Sequence, residues 1–172
     1  VFRGPNGAAS QAAAQHSQDF TSWYSHCPGI KVVVPSNAYN AKGLLKSAID
    51  DDNPVIFLEH RWVHYAKGHV PEKKYTETLS GPIQARKGKD VTIVANAYGL
   101  FEALAAADAL SNVGIEVDLF DLSVLRPLNV APIIRSVKRT GRLITMDTGW
   151  KTFGIGAEIS AQITEKCFKD LK

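Results

Sequence analysis

Ile30-Lys31-Val32-Val33-Val34 and Pro35-Ser36, then Ala38, Ala41, Leu44, Leu45, Ala48 and Ile49, then Val55-Ile56-Phe57-Leu58, form the stretch that decides the fold. The first run is β-branched and the second fully apolar, like strands covered on both faces, and the positions between them repeat at helical spacing. The reading is strand, helix, strand. Ser36 is expected to cap the helix and Asp50-Asp51-Asp52-Asn53-Pro54 to end it, with the two strands as parallel neighbours in one sheet. Such a pair needs cover on both faces and neighbours on both edges. Residues 1–66 are not expected to supply them, so the first unit reads as a fragment that has lost its opening strands, or as one completed by other material.

Between 67 and 89, Gly68, Pro71, Gly81, Pro82 and Gly88 lie among many polar residues, the composition of a linker between domains. Beyond it Val91–Ala95 reads as a strand, 100–113 as an alanine-rich helix stopped by Gly114, and 116–121 as a second strand. A helix starts at Asn129 with Pro132 in its first turn, Leu143–Met146 is a third strand, and Ile155, Ile159 and Ile163 mark a last helix. The expected fold class is α/β, in three-layer units with parallel sheets: residues 1–66, a linker 67–89, and a βαβαβα unit over 90–172.

Of the 172 residues, 45% are hydrophobic and 22% charged, the mix of a globular chain with enough apolar material for a core. No apolar run approaches the roughly 20 residues that span a bilayer, so a membrane protein is excluded on this reading, and the opening residues do not resemble a signal peptide. Cys27 and Cys167 lack the spacing of a disulfide framework or a zinc site, which fits a reducing compartment. The net charge of +3 is too weak a bias to imply nucleic acid, and the basic residues of 135–142 read as a solvated helix end. Gly154-Ile155-Gly156 precedes a helix but lacks the third glycine of a dinucleotide fingerprint, Ile159 standing in its place; tight packing at a helix start explains it. There is no GxxxxGK[ST] loop, GxSxG elbow or HExxH helix.

Val1-Phe2-Arg3-Gly4-Pro5-Asn6-Gly7, Ala14-Gln15-His16-Ser17-Gln18, Trp23-Tyr24 and His26-Cys27-Pro28-Gly29 carry a strong resemblance. Further blocks are Ala41-Lys42-Gly43-Leu44-Leu45-Lys46-Ser47-Ala48-Ile49, Asn53-Pro54-Val55, Leu58-Glu59 and Gly154-Ile155-Gly156-Ala157-Glu158-Ile159. Through nearly its whole length the chain resembles the β subunits of 2-oxo acid dehydrogenase E1 components, pyruvate dehydrogenase first, in the transketolase-like superfamily. The resemblance implies the C-terminal part of a pyrimidine-type domain at 1–66 and a truncated transketolase C-terminal-like domain at 90–172. It implies decarboxylation of a 2-oxo acid with thiamin diphosphate and acyl transfer to a lipoyl acyltransferase E2. The assembly would contain an E1 α subunit and a second β chain, in a bacterial cytoplasm or a mitochondrial matrix. The family's cofactor-activating glutamate has no counterpart here, and Mg2+ would sit on the α subunit. The family's C-terminal tail also lies outside this chain.

By this resemblance His16 is the catalytic candidate. An imidazole titrates near neutrality and can stabilise developing negative charge or pass a proton to a lipoyl thiol. His26, His60, His64 and His69 are expected in surface or packing roles, and Cys27 in packing. Ala48, Ile49, Asp51 and Asn53 match the family's K+ site, which is built largely from backbone oxygens at a helix end. Family members commonly place arginine where Ser123 stands and an acid where Thr148 stands, so a domain contact or subunit interface is expected to differ there. The rival reading is a non-catalytic subunit-interaction module on the same fold.

Overall fold

The computed structural model describes residues 1–8 and 11–172. The first sheet contains β1 (Phe2–Asn6), β2 (Lys31–Val33), β3 (Val55–His60) and β7 (Val124–Arg126), in the order β1-β3-β2-β7. The second contains β4 (Ile83–Arg86), β5 (Val91–Ala95), β6 (Val117–Asp121) and β8 (Leu143–Met146), in the order β4-β6-β5-β8. β2 and β3 are parallel neighbours, as their sequences imply. Neither sheet is wholly parallel, however: β7 runs antiparallel to β2, and β4 antiparallel to β6.

These edge strands correct the expectation for the first unit. Residues 1–66 do supply one neighbour, because β1 pairs parallel with β3 in a register that sets Asn6 beside His60. The other neighbour, β7, comes from beyond residue 120 and closes the far edge of β2. The stretch expected as a linker, 67–89, carries β4. Pro5 is tolerated in β1 because that strand is paired on one side only.

Among the described residues, six α-helices accompany the strands: α1 (Ala13–His16), α2 (Thr21–Ser25), α3 (Ala38–Asp50), α4 (Ala97–Ser111), α5 (Ala131–Thr140) and α6 (Ile155–Cys167). Three expected helix starts shift, the first that of α4, expected over 100–113 and running from Ala97 to Ser111. α3 is capped by Asn37, whose side chain accepts from the Asn40 N–H at 2.8 Å, and Ser36 is used elsewhere. The helix read from Asn129 begins at Ala131, with the Asn129 side chain accepting from the Ala131 N–H at 3.1 Å.

The period-2 pleat divides each strand between two cores. Val33, Val55 and Phe57 face α3 with Leu44, Ala48 and Val124, while Val91, Ile93 and Ala95 face α4 with Ala103 and Ala107. The alternate residues, Val32, Ile56, Leu58, Val94 and Phe120, meet Ile133 and Val137 of α5 and Ile155, Ile159 and Ile163 of α6 in one shared cluster. Apolar burial thus joins the two sheets through α5 and α6. Cys167 is buried in that cluster and Cys27 is exposed; both are free thiols. The basic end of α5 is not wholly solvated, since Arg139 pairs with the buried Asp118.

Candidate active site

β1 and β3 end side by side, and the C-terminal ends of parallel strands are where α/β folds place their chemistry. The chain leaves β1 at Gly7 and returns over these strand ends through a turn that carries His16, the last residue of α1. Two residues of that turn, Gln11 and Ala13, hold φ values of 49° and 47°. Without glycine, such left-handed backbone costs about 1–3 kcal/mol per residue and persists only where surrounding structure enforces it. Bonds within the turn and at its ends hold it: the Ala12 N–H donates to the Ser17 hydroxyl at 3.0 Å and the Ser17 N–H to the Ala13 carbonyl at 3.1 Å. The Gly7 N–H donates to the Gln18 carbonyl at 3.0 Å, and the buried Asn6 side chain accepts from the Phe20 N–H at 2.8 Å. Asp19 accepts from both the Thr21 N–H, at 2.9 Å, and its hydroxyl, at 2.6 Å. The His16 imidazole is exposed, and among the described residues no hydrogen bond occupies it. Its ring is free to meet a group presented from outside the chain.

Beneath the turn lies a group of polar residues that spacing did not point to. His60, the last residue of β3, is buried and stacks on Tyr98 with ring centroids 5.8 Å apart. Its Nδ1 accepts from the Trp62 N–H at 3.3 Å, leaving the proton of the neutral ring on Nε2. Burial pulls its pKa down, while the Asp19 charge acts in the opposite sense. Asp147, just after β8, accepts from the N–H groups of Gly149 and Gly156 at 2.9 and 3.3 Å. Burial pushes its pKa up, and Asp19 adds to that rise. His60 Nε2, Asn96 Oδ1 and Thr148 Oγ1 are buried without a hydrogen-bond partner among the described residues. Of the remaining histidines, His26, His64 and His69 are exposed.

Asp121 ends β6 and projects from the second sheet into the first unit. Its carboxylate accepts from the hydroxyls of Ser36 and Ser123, each at 2.6 Å, and from the Asn40 amide at 3.2 Å. The noted position, Ser123, is therefore buried at the joint between the units. Burial pushes the Asp121 pKa up to about 6 against the pull of these three donors, and no charged group contributes. A signal was present in the sequence: Asp118 and Asp121 interrupt an otherwise apolar strand, where charged residues are rarely buried without a purpose.

Ala48, Ile49, Asp51 and Asn53 do meet at the end of α3, but the Asp51 carboxylate is already engaged. It pairs with the Lys31 ammonium and accepts from the Asn53 N–H and side-chain amide, both at 2.9 Å. The pKa falls to about 2, chiefly through Lys31. The Asp51 carboxylate is therefore no free ligand at this corner. Among the described residues no cluster of three His, Cys, Asp or Glu side chains could hold a metal.

The N-terminus of α6 behaves as a packed helix start. A side chain at Gly154 would run into the Trp150 carbonyl, and Gly156 is taken up by Asp147. A cavity of about 550 Å³ lies between α2 and α6, lined by Ser25, His26, Arg126, Phe153 and Glu158 among others, away from His16.

Two sequence families match the chain: "Transketolase, pyrimidine binding domain" over residues 1–63 and "Transketolase, C-terminal domain" over residues 81–172. The chain is 47% identical to the mitochondrial pyruvate dehydrogenase E1 component subunit beta of Drosophila melanogaster, covering 96% of this chain and 46% of that protein. It is 45% identical to the corresponding subunit of Rhizobium meliloti, covering 98% and 37%. It spans about half the length of the curated relatives it matches, or less. Among solved structures, a split-gene transketolase, described as an inactive beta4 tetramer, superposes with a TM-score of 0.80 at 23% identity, over 96% of this chain and 53% of that one. A transketolase from Campylobacter jejuni superposes with a TM-score of 0.64 at 12% identity, over 94% and 29%. These two likenesses speak for the fold. With both family segments in order along one chain, and with curated kin that are pyruvate dehydrogenase E1 β subunits, the chain belongs to the transketolase family.

Proposed function

We propose that the intact protein is the β subunit of a thiamin diphosphate-dependent 2-oxo acid dehydrogenase E1, with pyruvate as its first-choice substrate. It would work with an E1 α subunit and a second β chain, and pass the acyl group to lipoyl-E2. The observation that carries this reading is His16. It stands exposed on a strained, doubly anchored turn, in a chain 47% identical to an E1 β subunit. In this reading residues 1–66 belong to the pyrimidine-type unit, 67–89 join the units, and 90–172 form the C-terminal domain. The relatives carry both mitochondrial and bacterial names, and no helix among the described residues is long and apolar enough to cross a membrane.

The accessible imidazole fits a cofactor presented by a neighbouring subunit. Thiamin diphosphate, when bound, supplies the carbanion chemistry of decarboxylation, with its diphosphate and Mg2+ on the α subunit. This chain's part is narrower. His16 Nδ1 or Nε2 holds or delivers a proton at the mouth of the site. Asn6 and Gly7 keep the turn in place, and the C-terminal domain fixes the joint behind it.

The test is full-length β chain co-expressed with its α chain, assayed with thiamin diphosphate and Mg2+ on pyruvate and on branched-chain acids separately. His16→Ala should lower acyl transfer to a lipoyl domain by about 10²–10⁴-fold with the assembly intact, the usual scale for a lost acid–base group. Unchanged turnover would overturn the role of His16. A silent, cofactor-loaded assembly would favour a non-catalytic module.

For K+, the reading is a site made by the carbonyl oxygens around Ala48, Ile49, Asp51 and Asn53. The full-length β chain should then melt higher in KCl than in NaCl at equal ionic strength. Equal melting curves would remove the site.

A further inference from the structure

Resting on the role proposed for His16, we infer that His60 is a positioning residue: its buried ring fixes Gly7, and through Gly7 the turn that presents His16. The chain of contacts is short. Gly7 has a φ of +93°, and a Cβ at this position would run into the Cδ2 and Nε2 edge of the His60 ring. The ring therefore lies directly against the Gly7 backbone. Its own orientation is set by the Trp62 N–H on Nδ1 and by the Tyr98 ring on its face. Gly7 in turn donates its N–H to Gln18, two residues past His16, and its carbonyl accepts from Arg61 at 3.2 Å. Asn6, the register partner of His60, holds Phe20 on the far side of Asp19. The end of the His16 turn is thus tied to the last residues of two adjacent strands, and His60 is the side chain filling the angle between strand and turn.

Burying a histidine here, where an apolar residue could fill space, keeps an acceptor facing the Trp62 N–H at the start of the turn after β3. An asparagine can offer a carbonyl oxygen in the place of Nδ1; alanine and phenylalanine cannot. A leucine at this position would leave the Trp62 N–H unpaired as well. The arrangement makes His60 distinct from ordinary core packing, because one of its two nitrogens sets the ring and the opposite edge sets Gly7.

The experiment uses full-length β chain assembled with its α chain. It measures turnover on pyruvate, KM, and the rate at which diethyl pyrocarbonate modifies His16, read by mass spectrometry. His60→Ala should lower kcat by about 10- to 100-fold, the scale of a misplaced catalytic group, with KM within about twofold. The modification rate of His16 should change by at least about threefold. His60→Asn keeps an acceptor for the Trp62 N–H but lacks the ring edge that lies against Gly7, so it should recover only part of the alanine loss, with kcat and His16 reactivity between those of the alanine variant and the parent. Parent-like kcat and His16 reactivity in His60→Ala overturn the inference, as does a fully parent-like asparagine variant, which would mean that the ring edge against Gly7 is not needed. Should His60→Ala fail to assemble, His60→Phe carries the test: it keeps an aromatic ring but loses the Trp62 hydrogen bond that orients it, and parent-like kcat and His16 reactivity there overturn the inference. If His16→Ala itself proves harmless, the functional reading fails; the His16 modification rate still decides whether His60 positions the turn.

Discussion

Asp121→Asn is expected to make the chain more stable at neutral and mildly alkaline pH by about 3 kcal/mol, the equivalent of moving a carboxyl pKa from 3.8 to about 6. Asparagine keeps one acceptor for Asn40 and Ser123 and can donate to the Ser36 hydroxyl, so the polar contacts survive while the charge is removed. Because the folded value lies above the unfolded one, the folded chain holds this proton more tightly. The contribution of Asp121 to stability is complete below pH 3.8 and declines as the pH rises to about 6. Above that the folded chain carries a buried carboxylate with only neutral donors around it. Parent and variant should therefore melt together near pH 4 and diverge by about 6–12 °C at pH 8, given the usual sensitivity of domains of this size. Melting curves of the pair from pH 4 to 8 test this; curves that stay parallel would mean that the joint neutralises Asp121 in another way.

The second large effect is expected at Phe57, which is wholly buried between α3 and the first sheet. Phe57→Ala should cost about 3–5 kcal/mol, through lost burial and an unfilled cavity, out of the roughly 5–15 kcal/mol that holds a domain together. Its neighbours include Val33 of β2 and Val124 of β7, so the loss should reach the second half of the chain. Urea unfolding gives the magnitude, and faster hydrogen exchange at the β7 amides gives the route. A loss under about 1 kcal/mol, or protection at β7 left intact, would contradict this packing.

What the sequence made legible follows from which forces are local. β5 and α6 were readable because each announces itself within a few residues: a run apolar but for Thr92 for a doubly covered strand, and isoleucines four apart for a helix facing a core. β1, β4 and β7 were not, because Phe2-Arg3-Gly4-Pro5-Asn6, Ile83-Gln84-Ala85-Arg86 and Val124-Leu125-Arg126 are short or lack alternation. Each becomes a strand only because a distant partner offers it an edge. At the site, His16 was found through the blocks around it, whereas His60, Asn96 and Asp147 were not. Their importance lies in burial at strand ends and in what the opposite unit brings to them, neither of which has a fixed spacing. The polar residues closing Val55–His60 and Val117–Asp121 were the available hint.

β7 also bears on how such a chain can change over generations. It belongs by sequence to the C-terminal family segment and by pairing to the first sheet, where Val32 and Val33 meet Arg126 and Val124. Exchange of a whole C-terminal segment with a relative would bring in a foreign strand to complete the resident sheet. The two segments are therefore inherited under mutual constraint: a substitution in 31–33 is tolerated or rejected by what stands at 124–126, far along the gene.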